Sequence, residues 1–78
     1  MTTPTDAKFL IDNLRKMGLT LRDIASRVGV SASAIYRLRE DEGRRPREST
    51  RKALVSVYAA RIRELKAERA MIEEALHD

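Results

Sequence analysis

The sequence predicts an all-α fold: a bundle of four to five helices whose last member is long. Three observations carry that expectation. Apolar residues recur at intervals of three and four, not two. Gly18, Gly29, Gly43, Pro4 and Pro46 fall between the periodic stretches, where helices end. No Gly or Pro follows Pro46, so one helix can run from about Arg47 to Leu76.

The elements follow in order. Residues 1–3 read as a tail. Thr3 or Thr5 can cap helix 1, with Pro4 suited to its first turn. Phe9, Leu10, Leu14 and Met17 are its expected buried face, and Gly18 ends it. Helix 2 opens at Thr20, with Asp23 three residues on as the other half of a capping box. Ile24, Ala25 and Val28 line its inner side; Ala25 is small enough for a close helix crossing. Gly29 supplies the left-handed residue that leaves the helix. Val30 plugs the turn and Ser31 caps helix 3, residues 31–39. Ala34, Ile35 and Leu38 face inward there, which turns Ala32, Ser33, Tyr36, Arg37 and Glu40 outward. A polar loop over residues 40–46 leads to the last helix, opened by Pro46 or Ser49. Its Leu54 and Val57 close the core.

Helix, tight turn, helix is the layout of a helix-turn-helix, so the fold class is a helix-turn-helix bundle. In that motif the outer face of the second helix enters the DNA major groove. Charge agrees. The 78 residues carry 16 Lys+Arg against 12 Asp+Glu, net +4, with a pI near 10.0. Residues 1–47 hold all of that excess (10 basic, 6 acidic), whereas residues 48–78 balance at 6 and 6. Residues 44–52, just beyond the second motif helix, hold five basic residues and one acid. An acidic polymer is the partner such a patch suits.

From Leu19 to Pro46 the chain resembles the DNA-binding domain of lambdoid phage repressors and Cro proteins. The residues that carry the resemblance are the LTLRDIASRVGVS run, Ile35, Leu38, Gly43 and the RRPR stretch at 44–47. The compact build also resembles small phage autoregulators, including those associated with anti-CRISPR operons. The family often has Gln at the start of both motif helices, where this chain has Leu21, Ala32 and Ser33. The resemblance implies a transcriptional regulator, most simply a homodimeric repressor on an inverted-repeat operator. The base-edge readers are then Ala32, Ser33, Tyr36 and Arg37, with Arg37 on guanine ranked first. Arg22, Ser31, Arg44, Arg45, Arg47 and Arg51 are the phosphate contacts, giving affinity and salt dependence. Residues 1–60 form the DNA-binding domain.

Residues 47–78 form the second unit, a helix that completes the core and dimerises. Val55, Tyr58, Ile62, Leu65, Arg69, Ile72 and Leu76 alternate spacings of three and four, a coiled-coil seam with Arg69 at one a position. Flanking charges favour antiparallel pairing, in which Arg61 faces Glu68 and Lys66 faces Glu73. Parallel pairing would set like charges together.

Composition excludes other classes. Without cysteine there is no disulfide framework or thiolate metal site. His77, the one histidine, reads as a chain-end side chain. Ser31, Ser33 and Ser49 lack the His and Asp of a catalytic triad. Glu73 and Glu74 read as a solvated helix face, and no phosphate-loop glycine pattern occurs. We therefore expect no enzyme, cofactor, metal or small-molecule ligand. The first residues do not form a signal peptide, and no apolar run could cross a membrane; a cytoplasmic, nucleoid-associated protein of a prokaryotic or phage-infected cell is expected. Two alternatives remain: a DNA-binding adaptor in phage packaging or recombination, and a protein-interaction module built on the C-terminal helix.

Overall fold

The computed structural model describes residues 6–40 and 45–77. Among them are four helices and no strand: α1 (Ala7–Lys16), α2 (Leu21–Val28), α3 (Ala32–Glu40) and α4 (Glu48–His77). The all-helical fold with a long C-terminal helix is as expected. Thr3, Pro4, Thr5, Gly43 and Arg44 lie outside the described residues.

Asp6 precedes α1, and its carbonyl accepts from Leu10 N at 3.0 Å, the first rung of the helix. The buried stripe is Ala7, Leu10, Ile11 and Leu14, at spacings i, i+3, i+4 and i+7. This corrects the expected face. Ile11 is fully buried, while Phe9 and Met17 lie off the stripe and are only half buried against the core. The helix closes in a Schellman turn: Leu19 N bonds Leu14 O at 3.1 Å and Gly18 N bonds Arg15 O at 3.0 Å, with Gly18 at φ +94°.

α2 and α3 form the predicted motif. Thr20 Oγ1 accepts from Asp23 N at 3.0 Å, and Asp23 Oδ2 accepts from Thr20 N at 2.9 Å, a complete capping box. Gly29 leaves α2 at φ +88°, with Gly29 N and Val30 N both bonded to Ala25 O. Ser31 Oγ then accepts from Ala34 N at 3.1 Å and caps α3.

The first residue of α4 is Glu48, so neither Pro46 nor Ser49 begins it. Arg47 contributes the first accepting carbonyl, to Arg51 N at 2.9 Å. Only Leu54 and Val57 of α4 are buried. With Leu10, Ile11, Leu14, Leu19, Ile24, Ala25, Ile35 and Leu38 they make one core shared by all four helices. A helix of 30 residues is about 45 Å long, close to the molecule's 50 Å long axis. α4 therefore sets the shape, with three short helices clustered on its N-terminal half.

Ion pairs tie the cluster together. Arg39 of α3 bonds Asp12 of α1 at 2.8 Å. Arg27 of α2 makes two bonds to Glu64 of α4, at 2.9 and 3.1 Å. Arg61 of α4 donates to Met17 O at 2.9 and 3.1 Å and to Glu64 at 3.0 Å. Met17 O is one of the carbonyls that the end of α1 leaves without a helical partner, so α4 caps α1 with a side chain. Gly18 leaves room for this, since a Cβ there would stand 3.3 Å from Arg61 Nη2. Among the described residues no helix is long and apolar enough to cross a membrane, and no group of His, Cys, Asp or Glu could hold a metal ion.

Candidate nucleic-acid interface

The caps at Thr20 and Ser31 fix where α3 starts, and Ile35 and Leu38 fix its rotation. Both are buried, so Ala32, Ser33, Tyr36 and Arg37 are exposed together on the far side. Tyr36 stands 54% exposed. Glu40 is exposed at the helix end, where Arg39 holds it at 2.9 Å.

Beside this face lies a groove of about 400 Å³ between α3, the segment before α4 and the first turn of α4. Val30, Ala34, Leu38 and Pro46 form its apolar floor, and Arg37, Arg45, Arg47 and Thr50 its polar rim. Sequence reasoning brought Arg37, Arg45 and Arg47 together only by chain order. Thr50 was missed, although its place three residues after Arg47, at the start of a helix, is a signal that it turns toward the same side.

The described arginines differ in what holds them. Arg27, Arg39, Arg51, Arg61 and Arg69 are each held by a carboxylate. Arg15, Arg22, Arg37, Arg45, Arg47 and Arg63 have no ion pair among the described residues, and three of them, Arg37, Arg45 and Arg47, converge on one groove. Guanidiniums left without internal partners at a concave surface suit an external anion.

The other predicted contacts vary. Arg22 is exposed in the first turn of α2. Ser31 is exposed, with its oxygen already accepting from Ala34 N. Arg51 is half buried and bound to Glu48 at 2.6 and 3.1 Å. That pairing lowers the Glu48 pKa and raises that of Arg51. A pair this open to solvent is weak. Arg44 is outside the described residues.

The proposed dimerisation residues split along α4. Tyr58 packs on the core, and Ile62 and Leu65 are half buried. Val55 is 38% exposed, Ile72 61% and Leu76 79%. Arg61 departs from expectation: its side chain is only 16% exposed and is committed to Met17 and Glu64 of its own chain, so it is not free to face Glu68 of a second copy.

No protein-family model matches the chain, and no curated protein or solved structure matches it significantly.

Proposed function

We propose that this protein is a sequence-specific, double-stranded-DNA-binding transcriptional regulator, a homodimeric repressor or autoregulator that works in the cytoplasm on an inverted-repeat operator. One observation carries the proposal. The exposed face of α3 adjoins a groove on which Arg37, Arg45 and Arg47 converge, none of them with an ion pair among the described residues, whereas Arg27, Arg39, Arg51, Arg61 and Arg69 are bound within the chain.

In this reading α3 enters the major groove. Ser33 and Tyr36 reach base edges, Ala32 meets a thymine methyl, and Arg37 makes a bidentate contact to guanine O6 and N7. Arg45, Arg47, Arg22, Ser31 and Arg51 meet the phosphates and set the register without reading sequence. The bonds from Arg39 to Asp12 and from Arg27 to Glu64 hold α2 and α3 in fixed orientation, which reduces what must be ordered on binding.

The test is selection from a randomised DNA pool at near-physiological salt, followed by sequencing of what the protein retains. Enrichment of an inverted repeat is expected. Retention without a motif would point to backbone binding, as in a packaging adaptor, and no retention would overturn the proposal. On the selected site Arg37→Ala should cost about 1–3 kcal/mol and relax one base position. Arg45→Ala should weaken all sequences alike and reduce the salt slope by about one.

A further inference from the structure

The seam of α4 does not stop where the domain does. Residues 66–77 are all exposed, and Met71 (70%), Ile72 and Leu76 present large apolar side chains there. An isolated helix of this length is marginal in water. Val55, Tyr58, Ile62 and Leu65 continue the same stripe back along the flank of the domain, each at least partly open to solvent.

We propose that this stripe is the contact face for a second copy of the same chain, laid antiparallel with Ile62 of one copy against Ile72 of the other. The charges select the direction. A parallel, in-register pair would stack Arg69 on Arg69 in the middle of the seam and set Glu68 beside Glu73. In the antiparallel register Arg69 lies beside the partner's Leu65, and Lys66 approaches the partner's Glu73. Glu73 already accepts from Arg69 of its own chain at 3.0 Å, so the seam arginine brings its own counter-charge. The expected Arg61–Glu68 contact plays no part, because Arg61 is held at the end of α1. With Arg61 and Glu64 bound to α1 and α2, α4 carries each α3 as a rigid arm, and the pairing fixes the separation of the two. The inference adds a geometry to the homodimer proposed above and is measured without DNA, so its failure and that of DNA recognition are separate results.

The chain has no cysteine, which permits a clean test. Light scattering should give twice the chain mass of 8.9 kDa at micromolar concentration. Ile72→Lys should raise the dimer dissociation constant about 100-fold or more, since two isoleucines leave the interface. Ile62→Cys and Ile72→Cys chains are then oxidised separately and mixed. In the antiparallel register identical positions lie about 15 Å apart along the axis, beyond disulfide reach. A mixed disulfide should therefore form, and neither variant should crosslink to itself. Self-crosslinked dimers of either variant alone would overturn the geometry. A monomer mass at hundred-micromolar concentration, or an unchanged dissociation constant for Ile72→Lys, would overturn the interface.

Discussion

The two halves of α4 share one backbone and have opposite surroundings. Residues 48–65 bury Leu54 and Val57, bond Arg61 to the end of α1 and bond Glu64 to α2. Residues 66–77 are equally free of Gly and Pro and even richer in Ala, Leu, Ile, Glu, Lys and Arg, yet none of their side chains is buried. The difference teaches that helix continuity is local, set by propensity and the absence of breakers, whereas burial depends on what the fold brings alongside. An apolar stripe at heptad spacing runs through both halves and meets a core in only one.

The sharpest way to break this comparison is to truncate one apolar side chain in each half. Leu54 is fully buried. Leu54→Ala should cost about 2–5 kcal/mol, transfer plus cavity, enough to unfold much of a domain this small. Ile72→Ala, at a concentration where the chain is monomeric, should change stability by less than about 0.5 kcal/mol. Urea denaturation measures both. Equal losses would show that the outer half of α4 packs within its own chain.

A smaller effect separates the two halves by their arginines. Arg61→Ala removes two hydrogen bonds to Met17 O in a half-buried site and should cost about 1–3 kcal/mol. Arg69→Ala removes one exposed pair to Glu73, which is worth about 0–1 kcal/mol. Both values come from chemical denaturation of the monomer. An Arg61→Ala loss no larger than that of Arg69→Ala would mean that the cap on α1 does not hold α4 in place.

What the residues reveal in advance follows the same division. Thr20, Asp23, Gly29 and Ser31 act on backbone groups within a few residues, so the motif and its turn are legible from spacing alone. The outward face of α3 is legible because Ile35 and Leu38 leave it no other orientation. The ties from Arg39 to Asp12, Arg27 to Glu64 and Arg61 to Met17 join residues 27 to 44 positions apart. No periodicity encodes such pairs, and Arg61 accordingly looks like a free coiled-coil flank until the end of α1 is beside it. The buried stripe of α1 is obscured for a related reason. Phe9 and Met17 are strongly apolar, but Ile11 has the angular position that the core requires. The groove depends on Thr50 and Pro46 folding back toward α3, which chain order suggests only for the arginines.

The smallest effect is a pH dependence confined to the anchored half. Hydrogen bonds from Arg27 first and Arg61 second hold the Glu64 carboxyl below its ordinary range. In α2 the Thr20 backbone N–H, then its hydroxyl, lowers Asp23. A carboxyl whose pKa is depressed on folding adds stability that is complete above its unfolded value, about 4 for these residues. That stability is lost as pH falls toward and through the folded value, because the unfolded chain takes up the proton first. The urea midpoint should thus be flat from neutral pH down to about 5 and fall below that. Glu64→Gln cannot titrate and keeps a weaker contact to Arg27 and Arg61, so it should lower the midpoint at neutral pH and make the acid decline shallower. If Glu64→Gln matched the parent chain both in its neutral midpoint and in its acid decline, the tie between α2 and α4 would contribute nothing to stability, and the anchoring of α4 would rest on Leu54, Val57 and the Arg61 cap.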